Sequence, residues 1–234
     1  SGIVAFGASS ASSVAANGYA DSPGGIFYLN STEGFDGSTW TNLNNSNTNK
    51  EGGTGSGIQN AGFACTGAQP HGAGNEGTAN ETWDGTCWTT ANATTFATQR
   101  AGSAGTLGAA VIAGGQIGYP QSYLSTAAEW DGTCWSSATS LPGTRAGMSK
   151  TRSPQVAAVM FGGYAGTATP LLRNLNYDGA AWTTGATMAR PASDGAGASG
   201  DSSGLIAAGG GNYTTTTEEY LGAGVAETKT ITTS

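Results

Sequence analysis

The sequence contains few of the residues that enzymes use for acid–base and metal chemistry. Charged residues make up 10% of the 234 positions, and His71 is the one histidine. The three cysteines, Cys65, Cys87 and Cys134, include no CxxC pair. A Ser/His/Asp triad, a Cys/His pair or a zinc site needs more such residues close together. We therefore expect no metal site, no cofactor and no enzyme activity.

Positive charge and long apolar runs are also scarce. Eight Lys and Arg stand against 15 Asp and Glu, which gives a net charge of -7, and the basic residues are scattered along the chain. A nucleic-acid interface needs a basic stripe to neutralise phosphates, so nucleic-acid binding is not expected. No apolar run approaches the roughly 18 residues of a transmembrane helix, so we expect no membrane span.

Glycine, by contrast, is abundant, with forty copies in a background of Ala, Ser, Thr and Asn. Such a composition is typical of disordered chains. However, six Trp, eight Tyr and six Phe recur along the chain. Aromatic residues at regular intervals indicate an ordered chain built from many short packed elements.

All six tryptophans belong to an internal repeat, aromatic-Asp-Gly-x-x-Trp. Its four clear copies are Phe35–Trp40, Trp83–Trp88, Trp130–Trp135 and Tyr177–Trp182. Their aspartates are Asp36, Asp84, Asp131 and Asp178, so the period is about 47 residues, and a degenerate copy follows at 218–225. Asp-Gly between two apolar runs is a tight-turn signal, because glycine tolerates a positive φ. The aspartates are therefore predicted to shape turns.

One repeat divides into four predicted strands, which in the third copy are 100–106, 109–115, 124–130 and 133–138. Four-stranded units with a period of about 40–50 residues are typical of β-propeller blades. A solenoid of stacked sheets is the alternative, and radial closure favours the propeller because it hides sheet edges. We predict a single all-β domain, 1–234, of about five four-stranded blades. The approximate repeats are 1–48, 49–96, 97–143, 144–188 and 189–234.

The first repeat is predicted to be irregular. Aligning Gly7 and Ala8 with Gly114 and Gly115 makes residues 3–8 a second strand, with no innermost strand before it. Two explanations remain open. Either residues upstream of this sequence supply the missing strand, or the first blade has three strands.

Two other residue types recur at fixed places in the repeat. The Trp of each copy is predicted to be a wedge between neighbouring blades. Cys87 and Cys134 hold one repeat position and are predicted to be small buried fillers, with a Cys65–Cys87 disulfide as the alternative. An arginine that follows the Trp is a further landmark, found at Arg100, Arg145 and Arg190.

The order of these landmarks, Arg-x-Gly, an apolar run, Gly-Gly and aromatic-Asp-Gly-x-x-Trp, resembles the kelch class of β-propellers over essentially the whole chain. The phrases TAAEWDGTCW (126–135), TTEEYLGAG (216–224) and TKTITTS (228–234), with the Gly/Ala/Thr-rich composition, resemble kelch-like structural proteins of marine tailed phages, notably those that infect cyanobacteria. This resemblance implies a non-enzymatic tail-fibre, head-fibre or decoration protein. It would be part of the extracellular virion, in multiple copies beside other virion proteins.

A binding surface is predicted on the rim formed by the loops between the second and third strands of each blade. These loops differ in every copy, and irregular loops on a rigid frame are where specificity usually lies. Tyrosine can stack on sugars and bond their hydroxyls, so we expect a site for host-surface polysaccharide. The candidate residues are Tyr19, His71, Tyr119, Tyr123, Tyr164 and Tyr213. The alternative is that these are ordinary loop residues that cover the rim.

Two other functions remain open. A purely structural capsid or tail decoration would pack the rim against other virion proteins. An extracellular glycan-active enzyme would need two carboxyl groups close together in a rim cleft. The recurring aspartates do not meet that need, because they are assigned to turns.

Overall fold

The computed structural model describes residues 3–9, 11–22, 25–70, 76–118, 120–166, 169–194, 196–197, 205–208, 217–220 and 226–227. Within these ranges every element is a β-strand, apart from one 3-10 turn at Gln155–Ala157. The strands form a β-propeller arrangement of four-stranded antiparallel sheets, so the predicted all-β propeller class is confirmed. No helix in the described ranges is long and apolar enough to cross a membrane.

The first two sheets are meanders whose strands follow chain order. The first sheet consists of β1 (Val4–Ser9), β2 (Ser12–Ala16), β5 (Thr32–Phe35) and β6 (Trp40–Leu43). Between β2 and β5 the chain forms a separate hairpin of β3 (Tyr19–Ser22) and β4 (Gly25–Tyr28). The second sheet consists of β7 (Thr54–Ile58), β8 (Ala61–Cys65), β9 (Asn80–Trp83) and β10 (Trp88–Ala91).

The later sheets repeat this order. The third consists of β11 (Gly102–Gly105), β12 (Ala110–Ala113), β15 (Ala127–Trp130) and β16 (Trp135–Ala138), with a hairpin of β13 (Gln116–Ile117) and β14 (Ser122–Tyr123). The fourth consists of β17 (Ala146–Met148), β18 (Ala158–Ala165), β19 (Thr169–Tyr177) and β20 (Trp182–Ala192). A further sheet joins β21 (Ala196–Gly197), β22 (Leu205–Ala208), β23 (Thr217–Tyr220) and β24 (Ala226–Glu227). The first strands of neighbouring sheets contact one another and so lie innermost.

The first sheet corrects the predicted alignment of the first repeat. Residues 4–9 form the innermost strand β1, and β2 is the second strand, so four strands are present. The double glycine of the repeat corresponds to two successive residues with positive φ. These pairs are Asn17–Gly18, Thr66–Gly67, Gly114–Gly115 and Gly162–Gly163. Asn17 and Thr66 replace the first glycine of the pair, which hid the equivalence, and Gly7–Ala8 only resembled it.

The Asp-Gly turns have the predicted structural role. Asp131 Oδ1 accepts the backbone N–H groups of Thr133 and Cys134, both at 2.7 Å. Asp36, Asp84 and Asp178 accept the same two bonds in their own turns. These backbone bonds lower the pKa of all four aspartates, because they stabilise the ionised carboxylate.

Three repeat tryptophans are wedges between sheets, as predicted, and the first is not. Trp88, Trp135 and Trp182 are 6%, 7% and 7% exposed, whereas Trp40 is 53% exposed. Trp88 packs on Val4, Phe6 and Val14 of the first sheet. Its indole N–H donates to Thr32 Oγ1 at 3.0 Å. Such aromatic wedges bury large areas and therefore dominate the packing between blades.

The cysteine prediction is wrong in part. Cys87 and Cys134 are exposed, because their repeat position lies in the Asp-Gly turn, and only Cys65 is buried. All three are free thiols, so the alternative disulfide is absent. Burial raises the pKa of the Cys65 thiol to about 12.

Candidate functional site

On the rim opposite the Asp-Gly turns, a series of backbone hydrogen bonds joins neighbouring sheets. One residue at the entry to each of four sheets has a left-handed conformation: Gly52 (φ 64°), Arg100 (57°), Gly147 (65°) and Asp194 (52°). Arg100 N donates to Gly52 O at 2.6 Å, Gly147 N to Arg100 O at 2.8 Å, and Asp194 N to Gly147 O at 2.8 Å. We call these four the entry residues. Their bonds fix where the side chains of Arg100 and Asp194 leave the backbone.

The entry residues correct the arginine landmark. Arg100 is an entry residue, but Arg145 lies two positions before the entry residue of its own sheet. The carbonyl oxygen of Arg145 instead accepts the Gly115 N–H, as Lys50 and Thr98 accept the equivalent glycine N–H groups in the sheets before it. The three arginines are therefore not equivalent, because they lie at different distances after the Trp of their repeat, whereas each entry residue lies 12 positions after it.

Arg100 lies in a hydrogen-bonded cluster that joins three sheets. Its Nη1 donates to Tyr164 Oη at 3.1 Å, and Tyr164 Oη donates to Gln116 Oε1 at 3.1 Å. Arg100 Nη2 is 3.7 Å from Glu51 Oε1. The Arg100 side chain is 35% exposed, so part of this side chain is open to solvent.

The electrostatics of this cluster follow from its contacts. Burial raises the pKa of Tyr164, so its phenol stays protonated and keeps its donor. Burial opposes the charge of Arg100, but Tyr164, Asp194 and Glu51 outweigh it and raise the pKa of the guanidinium. The cluster therefore presents a fixed cation beside a neutral phenol.

The structure brings together two of the predicted site residues. Tyr123 contacts Tyr164 edge to face, with ring centroids 5.8 Å apart and an interplanar angle of 90°. Tyr19 lies instead on the β3–β4 hairpin, where it pairs with Tyr28. His71, Tyr119 and Tyr213 lie outside the described residues.

The sequence did not single out Arg100, Gln116 and Glu51 as site residues. A signal was present in the sequence, because Gln116 and Tyr164 each follow a Gly-Gly pair, and both glycines of each pair have positive φ. Tyr19 follows the equivalent pair in the first sheet, and Ala68 in the second. The residue after the double-glycine position is therefore the one that reaches the rim.

Two lysines near the rim tie sheets together. Lys150 Nζ donates to Gly53 O at 2.8 Å and to Ile3 O at 3.2 Å, and it links the fourth sheet to the first two. Burial lowers the pKa of this amine to about 8. Lys50 is fully buried, and its Nζ is 3.2 Å from Glu81 Oε1. Glu81 Oε2 in turn accepts the Asn47 N–H at 2.7 Å.

The arrangement can hold a polar ligand by hydrogen bonds and aromatic contact. Arg100 donates, the Tyr164 and Gln116 oxygens are fixed by one another, and the Tyr123 ring is half-buried beside them. No group of three or more His, Cys, Asp or Glu side chains with metal-binding geometry occurs in the part of the chain that the structure describes.

Comparison with known proteins gives a fold relationship. No protein-family model matches the chain, and no curated protein is detectably similar in sequence. The solved structure of YjhT is similar, with a TM-score of 0.68 and 13% sequence identity, over 89% of this chain and 71% of that chain. At this identity the similarity supports the propeller fold alone.

Proposed function

We propose that the protein is a non-enzymatic phage virion component, a tail fibre, head fibre or decoration, whose rim binds host-surface polysaccharide. The observation that carries the binding part is the Arg100–Tyr164–Gln116 cluster with the Tyr123 ring against it. Sugars offer hydroxyl groups for such donors and acceptors, and C–H faces for aromatic rings. The phage assignment rests on the sequence resemblance.

Rigidity supports this role for the cluster. Tyr164 is 6% exposed and Gln116 is 2% exposed, so their side chains are held by packing. The backbone of Arg100 is fixed by the bonds of the entry residues. A preorganised site loses less conformational entropy when it binds a ligand, which suits a receptor-binding rim.

Binding can be tested with the isolated domain and host envelope polysaccharide or lipopolysaccharide. We expect Arg100→Gln and Tyr123→Ala to weaken binding at least tenfold, since each removes a direct contact. Val156→Ala is the matched control, because Val156 is 63% exposed beside the Gly179 turn on the other rim. Absence of binding by the unmodified domain, with normal adsorption of virions that lack it, would eliminate the receptor role.

We also propose that the propeller has five blades closed in one ring. The fifth sheet has the same strand order as the others, and its β24 contacts β20 of the fourth. Ile206, Ala208 and Thr217 hold the register positions that Val14, Ala16 and Thr32 hold around Trp88. The face of the fifth sheet with these residues would receive Trp40.

Trp40 reports on this closure. In a closed ring, Trp40→Ala lowers the thermal midpoint by a shift comparable to that of Trp88→Ala, and acrylamide quenches the fluorescence of Trp40 weakly. In an open arc the substitution is nearly neutral and quenching is strong. The second result at low protein concentration would overturn the closed five-bladed ring.

A structural decoration role is the second candidate. Ile3, just before β1, and Phe27, on the β3–β4 hairpin, are each more than half exposed, and large exposed apolar side chains mark protein contacts when they are contiguous. A virion map with the rim buried against another protein would favour this role over host attachment.

A further inference from the structure

Arg145 is a buried cation that forms no ion pair with a carboxylate of the described residues. It is 8% exposed, and its Nη1 donates to the carbonyl oxygens of Gly162 at 3.3 Å and Arg173 at 3.1 Å. Neither of the two ion pairs among the described residues includes it. A buried charge is costly unless it is paired. Carbonyl dipoles alone leave the charge of this guanidinium uncompensated.

Lys50 shows how the same repeat position is balanced in another blade. Lys50 and Arg145 are equivalent through the glycine N–H groups that their carbonyl oxygens accept. Lys50 has Glu81 at 3.2 Å. Leu175 occupies, in the fourth sheet, the register position that Glu81 occupies in the second. The fold therefore keeps the cation at the third junction and lacks the carboxylate.

A second arginine stands beside the first. The Arg173 side chain is exposed, and no described carboxylate forms an ion pair with it. Burial and the like charge of Arg173 together lower the pKa of the Arg145 guanidinium. Two cations that repel each other at one place are stabilised by a shared anion.

This pair of arginines adjoins the candidate site. Arg145 N donates to the carbonyl oxygen of Leu124 at 2.9 Å, directly after Tyr123. Ala146, the next residue, pairs with Tyr164 across β17 and β18. The backbone that carries Arg145 is therefore bonded to the segments that carry Tyr123 and Tyr164.

We propose that Arg145 and Arg173 form a subsite for an oxyanion carried by the bound polysaccharide, a carboxylate, sulfate or phosphate group. The role of this subsite in attachment rests on the proposed polysaccharide-binding function. Planar guanidinium groups bind such oxyanions with paired N–H donors. The net charge of -7 repels anions from the protein as a whole. The attraction for an oxyanion therefore comes from these two guanidinium groups alone.

The subsite can be tested first with simple anions. Inorganic sulfate, inorganic phosphate and acetate are titrated at constant ionic strength while the side-chain N–H signals of arginine are followed by NMR. We expect the Arg145 signal to shift and to saturate as the anion is added. The apparent anion affinity obtained from these shifts should fall at least fivefold in Arg173→Gln. Arg152→Gln, which removes the same charge outside the pair, should leave the response unchanged. No saturable shift, or an equal response in Arg173→Gln, would refute the subsite.

A second experiment separates the subsite from the proposed function. Polygalacturonate and its fully methyl-esterified form serve as matched acidic and neutral probes. Tighter binding of the acidic form, lost in Arg173→Gln, supports the inference. Equal binding of both forms would keep polysaccharide binding and reject the subsite. Anion shifts at Arg145 without binding of either polymer would keep the subsite and count against the proposed function.

Discussion

At the scale of single residues, Lys50 and Glu81 form the most deeply buried ion pair that the described chain contains, with side chains 0% and 1% exposed. Glu81→Gln leaves the ammonium of Lys50 buried without its partner, so we expect a loss of about 3–5 kcal/mol. Urea unfolding measures this loss. The double variant Lys50→Met with Glu81→Leu should recover most of it, because an apolar pair carries no desolvation cost. Equal losses in the single and double variants would contradict this account.

The buried amine of Lys150 should make the folded protein more stable at alkaline pH. Its pKa is lowered from 10.5 to about 8 in the folded protein, so between these values the unfolded chain binds the proton more strongly. Stability therefore increases as the pH rises from about 8 toward 10. Cys65 acts in the opposite direction, since its raised pKa favours unfolding above the ordinary thiol pKa. The test compares the urea midpoints of wild type and Lys150→Met between pH 8 and 10. The midpoint of the wild type should rise relative to that of Lys150→Met across this range, and a constant difference would contradict the prediction.

At the scale of elements, the Asp-Gly turn is the unit that repeats most faithfully. Asp131→Ala removes the acceptor of two backbone N–H bonds, so we expect a lower thermal midpoint at neutral pH. The effect depends on pH, because the pKa of Asp131 is lowered in the folded state. Its contribution is complete above the ordinary carboxyl pKa of 3.8 and is lost as the pH falls through the lower pKa of the folded state.

The control for this turn is Thr133→Ala, which keeps the backbone donor. Thermal unfolding at neutral pH and in strong acid should show a gap between wild type and Asp131→Ala that closes only in acid. A gap that is independent of pH would mean that the carboxylate acts through packing.

The wedge tryptophans differ in one polar contact. Trp88 donates its indole N–H to Thr32 Oγ1, whereas the buried indole N–H of Trp135 has no acceptor among the described residues. We expect Trp135→Phe to cost less stability than Trp88→Phe, because it removes an unsatisfied donor. Trp135→Ala should lose about 3–5 kcal/mol through the cavity it leaves. Urea unfolding of the three variants decides the order, and a Trp135→Phe loss as large as that of Trp88→Phe would contradict it.

Elements were predictable wherever their signal is local. The Asp-Gly turn requires its residues wherever it occurs, so the period was visible, and the strands of the third sheet lie inside the predicted ranges. The first blade was misaligned because Asn17 and Thr66 adopt a conformation usually left to glycine. Gly7 added to the error, although glycine is required there because a Cβ would lie 2.5 Å from Ser12 O.

At the scale of the whole molecule, the contacts between sheets join residues that are far apart in sequence, and no local sequence pattern predicts them. Tyr123 and Tyr164 were predicted as loop tyrosines, but their contact depends on how the third and fourth sheets are placed. Arg100 was noticed as a landmark, and its bond to Tyr164 crosses 64 positions of sequence. The predicted polysaccharide specificity and virion location remain predictions.

The entry residues also set what can be changed at the rim. A Cβ at Gly147 would lie 2.5 Å from Tyr164 Cε1, so the Tyr164 ring already occupies the space that a side chain there would need. At Gly52 the nearest atoms lie at 3.4 Å, an ordinary contact, and its φ of 64° suits asparagine. A side chain introduced at position 52 would therefore lie on the rim and could change which ligand binds, while the backbone of the sheets stays unchanged.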